Sequence, residues 1–275
     1  MVLIMMRSRE IEKSIIKKYR KQIWSKFVKS IKEYELIKEN DKIAVCISGG
    51  KDSMLLAKCL EELKRHGQFH FDLEYIVMNP GYNDENLKKI KENLEILNIN
   101  ATIFDSNIFE VAGKMDSENP CYLCARMRRG VLYSKAKELG CNKIALGHHF
   151  NDVIETVMLN LVFNGLFSSM MPKLHSDNFE NMELIRPLYF IREDDIISWS
   201  KYNNLSFIDC ACSVTTKQTG KRREIKDLIK KLKEIYPQAD LNILKATDNV
   251  NLNTILSCHD KVNNFTFLDK YDCEK

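Results

Sequence analysis

The hexapeptide Ser48-Gly49-Gly50-Lys51-Asp52-Ser53 decides how this chain is read. It follows Lys42-Ile43-Ala44-Val45-Cys46-Ile47, a short apolar run rich in β-branched residues that suits a strand. It precedes Met54-Leu55-Leu56-Ala57-Lys58-Cys59-Leu60, whose composition suits a helix. A strand, a turn of small residues and a helix aim backbone N–H groups and a helix N-terminus at one point, which favours a phosphate. Gly49 and Gly50 admit close approach and positive φ. Ser48 and Ser53 bring hydroxyls, and Lys51 brings a positive charge. The G-x-x-x-x-G-K and G-x-G-x-x-G spacings are both absent, so two commoner nucleotide loops are excluded.

Outward from the loop, strands and helices alternate. Strands are expected at Phe71–Val77, Ala101–Phe104 and Lys143–Leu146, and helices at 84–97, 121–139 and 153–162. This rhythm predicts an α/β fold with a doubly wound, mostly parallel sheet. Ligands in such sheets sit at the carboxyl ends of strands. The loop Gly147-His148-His149-Phe150-Asn151-Asp152 follows one strand as the hexapeptide follows another, so both can face one crevice. Before the sheet, apolar residues from Ile11 to Ile31 predict a long basic helix. After it, residues 165–185 read as a mobile loop over the site, 184–188 as a short extended segment and 192–202 as a helix. A last strand is expected at 206–208, with helices at 222–235 and 240–256. The expected division is 1–36 as the N-terminal helix, 37–215 as the nucleotide domain and 216–275 as a helical, RNA-contacting region.

The chain of 275 residues is 44% hydrophobic, enough to fill a core. No apolar run reaches membrane-spanning length, and the opening Met1–Met6 lacks the flanks of a signal peptide, so a cytoplasmic location is expected. Net charge is only +4, but basic residues cluster in 7–32, in Arg126, Arg128 and Arg129, and in 217–233. Such clusters fit a polyanion, or simply solvated helix faces.

Nine cysteines in a cytoplasmic chain do not form a disulfide framework. Cys46, Cys59 and Cys141 lie in apolar surroundings and read as core packing. Cys121-Tyr122-Leu123-Cys124 is a C-x-x-C, and Cys210-Ala211-Cys212 is a second concentration. By spacing alone, the first could be a redox dithiol, half a zinc site or two ligands of an iron–sulfur cluster.

The hexapeptide resembles the PP-loop of the ATP pyrophosphatase superfamily, enzymes that cut ATP between its α and β phosphates. Its adenine-nucleotide α-hydrolase-like fold is then expected here. Cys121–Gly130, Ala145–His149, Arg186-Pro187-Leu188 and Cys210 together resemble, in order and over most of the chain, the tRNA 2-thiocytidine synthetases of the TtcA type. The resemblance implies a tRNA sulfurtransferase that uses ATP, Mg2+ and a [4Fe–4S] cluster with three cysteine ligands. Carried over, these are Cys121, Cys124 and Cys210. The family has C-x-x-C downstream where this chain has C-x-C. Cys212 is therefore the other candidate, although Cys210 keeps the expected distance from Arg186-Pro187-Leu188. Asn151 also departs, standing where the family usually has a second Asp. That leaves Asp152 as the magnesium or ribose contact.

The implied ATP site comprises Ser48, Gly49, Gly50, Lys51, Asp52, Ser53, Gly147, His148 and Asp152. Lys51 and Asp52 act with the three cysteines in catalysis. The implied tRNA contacts are Arg126, Arg128, Arg129, Lys221, Arg222 and Arg223. Expected partners are tRNA, a sulfur donor (a cysteine desulfurase or free sulfide) and a second copy in a homodimer, with no membrane. The expected reaction converts cytidine to 2-thiocytidine at position 32 of the anticodon loop. The competing readings are a tRNA 2-thiouridine synthetase, a PP-loop ligase or amidase with structural zinc, and a non-catalytic nucleotide-responsive RNA-binding protein.

Overall fold

Apolar residues recur every four positions along the N-terminal segment, at Ile11, Ile15, Tyr19, Ile23, Phe27 and Ile31. An α-helix turns once per 3.6 residues, so such a row drifts by about 40° per step. Over five steps it would leave the core. The structure cancels the drift with wider π turns. Helix α1 (Val2–Lys13) gives way to π-helical Ser14–Lys18 and Arg20–Trp24, and α2 (Ser25–Glu33) restores α geometry. Ile15, Ile23 and Phe27 are fully buried as a result.

The structure, a computed structural model, describes residues 2–67, 69–106, 108, 120–208 and 220–271, the side chains at 2, 3, 5, 120–125 and 270 excepted. Its main sheet has the order β3-β2-β1-β4-β6-β5. The strands are β1 (Asp41–Cys46), β2 (Phe71–Asn79), β3 (Ala101–Asp105), β4 (Lys143–Ala145), β5 (Lys173–His175) and β6 (Glu183–Ile185). All neighbours pair in parallel except β5, which runs antiparallel to β6 at the edge. β1 is the central strand and is buried on both faces: Ile43 and Val45 join one apolar cluster, Ala44 and Cys46 the other.

Helices α3 (Lys51–His66) and α4 (Asp84–Ile96) bury residues in the first cluster, as does the N-terminal helix. Helix α5 (Pro120–Glu138) contributes Tyr133 and Ala136 to the second. The chain therefore changes faces between β3 and β4, and the topological switch point falls between β1 and β4. That is where ligands of open α/β sheets bind. Helix α6 (Phe150–Phe163) follows β4, and α7 (Glu193–Tyr202) follows β6.

The chain divides into two compact units, 1–153 with 170–223, and 154–169 with 224–275. The first holds the whole six-stranded sheet. The second contains most of α6 and of α8 (Gly220–Ile235), then α9 (Ala239–Asp248), the short antiparallel pair β7 (Ser257–His259) and β8 (Asn264–Thr266), and a terminal turn of helix, Leu268–Tyr271. Within it Ile225, Ile229 and Leu244 are buried, and Lys233 pairs with the buried Asp240 at 3.1 Å.

Four local expectations fail. Residues 165–185 are not one loop, because β5 pairs with β6 within them. Ser206–Ile208 forms no strand: it runs beside α4, where Asn93 Nδ2 donates to Ser206 O at 3.0 Å. The last helix stops at Asp248, and Asn251 then caps a 3₁₀ turn by accepting from Asn253 N–H at 3.0 Å. The β7–β8 hairpin is unforeseen. Its turn is pinned by Asp260, whose carboxylate accepts from Val262 and Asn263 N–H at 2.7 Å each.

Candidate active site

β1 ends at Cys46 and α3 begins at Lys51, so the hexapeptide bridges strand and helix as expected. Gly49 has φ +86, and a Cβ there would lie 2.6 Å from Ile90 Cγ1 and 2.8 Å from Ile208 Cδ1. Ser53 turns inward. Its hydroxyl accepts from Ser48 N–H at 3.1 Å and donates to Gly50 O at 3.0 Å. Ser53 thus ties the loop's two ends together and is buried. Tyr82 Oη adds an outer contact, donating to Ser48 O at 3.3 Å.

The loop after β4 closes on this turn backbone to backbone. A Cβ on Gly147 would lie 3.0 Å from Ser53 N and 3.1 Å from Asp52 C. The two loops therefore do share one crevice. His149 then caps α6 in the manner of a capping box. Its Nδ1 accepts from Asp152 N–H at 3.4 Å, while Asp152 Oδ2 accepts from His149 N–H at 3.0 Å. Its Nε2 faces Asp52 Oδ1 at 3.9 Å.

An ion row crosses the crevice. Glu193 Oε1 lies 3.4 Å from Lys51 Nζ, and Lys51 Nζ lies 3.3 Å from Asp52 Oδ2. His149 links Asp52 to Asp152, and Asp152 Oδ1 meets Arg222 Nη2 at 3.2 Å. Asn151 Oδ1 accepts from Glu193 N–H at 3.0 Å, which fastens α7 to the start of α6. Burial pushes the Asp52 carboxyl up, Asp152 adds to this, and His149 and Lys51 oppose it. Asp52 Oδ1 is buried with no hydrogen-bond partner. An orphaned carboxylate oxygen beside a phosphate loop fits a hard divalent cation such as Mg2+.

His148 is driven down to about 4 by burial and by the charge of Arg186, so its ring is neutral near pH 7. Arg186, buried at the end of β6, is lowered to about 10 by burial and stays charged; its Nη1 donates to Met171 O. Of the residues expected to meet tRNA, Arg126, Arg129, Lys221 and Arg223 are exposed and Arg128 is half-buried. Arg222 instead reaches Asp152. Glu193, Tyr82 and Ile208 line the crevice although pattern reading missed them, and Arg186 reads from the sequence only as part of a motif, with no role. Glu193 carries no distinguishing signal, because three acids in the first turn of α7 read as ordinary dipole complements.

A PP-loop domain model matches residues 19–229. The chain is 36% identical to a tRNA-cytidine(32) 2-sulfurtransferase of Geobacter metallireducens over 238 residues, covering 85% of this chain and 91% of that one. It is 34% identical to the protein of the same name from Aeromonas hydrophila, covering 82% and 75%. The chain belongs to the PP-loop tRNA-cytidine(32) 2-sulfurtransferase family. Among solved structures it resembles the U34-tRNA thiolase NcsA from Methanococcus maripaludis, described with its [4Fe-4S] cluster. The TM-score is 0.67 at 24% identity, covering 85% of this chain and 80% of that one, which establishes the common fold.

The cysteines of this family member sort as their surroundings predict. Cys46, Cys59 and Cys141 are buried and free, and burial pushes all three thiols up, Cys141 to about 11. They stay protonated and are poor metal ligands. Cys121 and Cys124 fall in the first turn of α5, three positions apart. Because α5 leads back to the start of β4, that turn lies toward the carboxyl edge of the sheet. Cys210 and Cys212 lie outside the described residues. The chain on either side of them is anchored at the crevice, by Ile208 against Gly49 and by Arg222 on Asp152. The thiols of Cys121, Cys124, Cys210 and Cys212 are the donor type that an iron–sulfur cluster accepts from separate segments.

Proposed function

We propose that this protein replaces the C2 oxygen of cytidine 32 in tRNA by sulfur, in a reaction driven by ATP. The observation that carries this reading is the meeting of the SGGKDS loop with the loop after β4, at the sheet edge toward which the C-x-x-C turn lies. The free N–H groups at the start of α3 and the Lys51 ammonium would take the ATP phosphates. Asp52 and Asp152 would hold Mg2+ against them. Backbone spacing at Gly147 sets how closely the second loop approaches.

The base C2 oxygen attacks the α-phosphorus, and pyrophosphate leaves as the bond to the β-phosphate breaks. This converts the C2 oxygen into part of an AMP leaving group. Sulfur at the sulfide level then bonds to C2, and AMP departs with the original oxygen, so no electrons are exchanged. A [4Fe–4S] cluster held by Cys121, Cys124 and Cys210, with Cys212 as the alternative third ligand, would supply an open iron for that sulfur. Lys51 stays beside the leaving pyrophosphate, and neutral His148 can accept or donate one hydrogen bond without adding charge.

The sulfur would come from free sulfide directly, or from a cysteine desulfurase, whose persulfide sulfur must first take two electrons from a thiol reductant to reach the sulfide level. Arg126, Arg128, Arg129, Lys221 and Arg223 would add phosphate contacts, and residues 216–275 would contribute to tRNA binding. No described helix is long and apolar enough to cross a membrane, and we place the reaction in the cytoplasm with its tRNA. Exposed Leu161, Val162, Leu166 and Phe167 in the second unit support a homodimer. The test is mass spectrometry of tRNA nucleosides from a strain lacking the gene and from one complemented with it. 2-Thiocytidine should vanish and return. Retention of 2-thiocytidine in the deletion strain overturns the proposal, and loss of 2-thiouridine instead would assign the other thiolation.

A further inference from the structure

The period-four row that keeps the N-terminal helix on the core has a counterpart on its opposite face. Lys13, Lys17, Lys21 and Lys29 also stand at multiples of four, and all four are exposed. In a plain α-helix this row would wind around the axis by about 40° per step. The same π turns that straighten the apolar row straighten the lysine row. At the α-helical rise of 1.5 Å per residue Lys13 to Lys29 would span about 24 Å, and the wider π turns make it somewhat shorter. Among the described residues, Lys13, Lys17 and Lys21 make no ion pair. Lys29 pairs with the exposed Glu33 at 3.3 Å and lies 4.5 Å over the Phe190 ring. Like charges one turn apart destabilise a helix, so an uncompensated row is a cost to the fold alone.

The row also has a direction. At its far end it borders a groove of about 760 Å³ lined by Arg7, Lys13, Lys17, Lys18 and Tyr202, with Glu10 as its single acid. There Lys18 Nζ sits 3.5 Å over the exposed Tyr202 ring. Near its other end the same helix bears Lys26, outside the row, which pairs with Asp195 at 3.1 Å, two residues from the Glu193 that meets Lys51. The row thus leads from the crevice along α7 to a groove with cations and an aromatic face.

We propose that this lysine row is a rail for the phosphate backbone of the tRNA, holding the stem behind the anticodon loop while the target base occupies the crevice. The inference rests on the tRNA reading above. Phosphate contacts of this kind add affinity and register without reading sequence. Lys18 and Tyr202 at the far groove would close on a sugar or an unpaired base there.

The test compares the anaerobically purified holoprotein with the variant K13Q/K17Q/K21Q, using unmodified tRNA transcript carrying C32. Each lost phosphate contact should lower the slope of log Kd against log salt by about 0.7–0.9, so the triple variant should lose about 2–3 from the slope. KM for tRNA should rise roughly tenfold or more at physiological salt, with kcat at saturating tRNA and the melting temperature unchanged. The matching Arg variant should restore wild-type binding. A control pair on α4, K88Q/K91Q, should leave the slope alone. An unchanged slope and KM in the triple variant overturns the rail, and so does an equal loss in the α4 control. A row that docks an acidic sulfur-donor protein would also leave tRNA Kd untouched, which counts against the proposal. If the wild type neither binds nor thiolates the transcript, the functional reading itself has failed, and that result cannot be mistaken for failure of the rail.

Discussion

Gly147→Ala isolates the contact between the two loops. The new Cβ would meet Ser53 N at 3.0 Å, Asp52 C at 3.1 Å and Ser53 Cα at 3.2 Å. Ordinary contact begins near 3.4 Å, so the loops must part by about 0.4 Å, and every obstructing atom is backbone. Backbone in the first turn of a buried helix cannot step aside as a side-chain tip can. Overpacking of one methyl costs about 1–3 kcal/mol when the surroundings resist. The larger effect should be chemical. Asp152, His148 and His149 ride on the displaced loop, while Lys51 and Asp52 stay with the helix. A shift of this order is a substantial part of the displacement of about 1 Å that can cost 100-fold in rate. The assay is tRNA-dependent exchange of labelled pyrophosphate into ATP, which reports adenylation without the sulfur step. Exchange should fall by roughly 30- to 100-fold, corresponding to about 2–2.7 kcal/mol of transition-state stabilisation. Thermal melting should show the folded state retained. Exchange within twofold of wild type would refute the claim that this backbone contact sets the geometry of the site.

Gly130 provides the opposite case: it lies inside α5 with nothing within 4 Å of the place its Cβ would occupy, so Gly130→Ala should stabilise by about 0.5–1 kcal/mol, read by urea denaturation. Glu12 links the N-terminal helix to α3 through the fully buried Lys58 at 2.6 Å and Arg65 at 2.7 Å. Burial pushes its carboxyl up, but hydrogen bonds from Arg65 and Lys58 prevail and hold it below the ordinary value. A depressed carboxyl stabilises the fold above its unfolded pKa of about 4.3, and that stability is lost as pH falls through the lower folded value. Glu12→Gln should cost about 3 kcal/mol at pH 7 and flatten the acid limb of melting temperature against pH, since Lys58 loses one of its two carboxylates. Cys59→Ala should leave iron content and thiolation intact while costing about 1–2 kcal/mol, whereas Cys121→Ala or Cys124→Ala should bleach the holoprotein and abolish product without lowering pyrophosphate exchange to the same extent.

The sheet was legible because its central strands are continuous apolar runs bounded by loop residues, and because Gly-rich turns mark their carboxyl ends. The pairing of the two site loops followed from topology alone. Side-chain roles inside the site were less legible. Ser53 belongs to a phosphate-loop motif, yet a 3.0 Å bond to Gly50 O turns it inward, and no pattern in the sequence foretells a hydroxyl's direction. Glu193 reaches Lys51 from 142 residues away, and its neighbourhood looks like any acidic helix start. Short edge strands such as β5, three residues long, carry too little alternation to be seen. The π turns were latent in the sequence all along: a strict period of four fits neither an α-helix nor a strand.

Asn151 shows how charge count constrains this site. Its amide oxygen accepts from Glu193 N–H at 3.0 Å, a bond that an aspartate could make equally well. The linked row, however, already holds three carboxylates, Asp52, Asp152 and Glu193, against two cations, Lys51 and Arg222. Those five groups sum to −1, and His149 lies between the two aspartates. A triphosphate brought to that row meets excess negative charge, and a single Mg2+ reverses the sign to +1. A fourth carboxylate at 151 would raise the deficit to −2, which one Mg2+ only cancels. The amide keeps the cap on α7 and leaves the balance positive when the metal is present. Asn151→Asp should accordingly preserve the fold and lower the Mg2+ concentration needed for half-maximal pyrophosphate exchange, because the added carboxylate attracts the cation, while raising the KM for ATP by roughly tenfold, about 1.4 kcal/mol for one added charge partly screened by solvent. A metal requirement equal to that of the wild type would mean that the row's charge is settled elsewhere, and that Asp52 Oδ1 is not waiting for a cation.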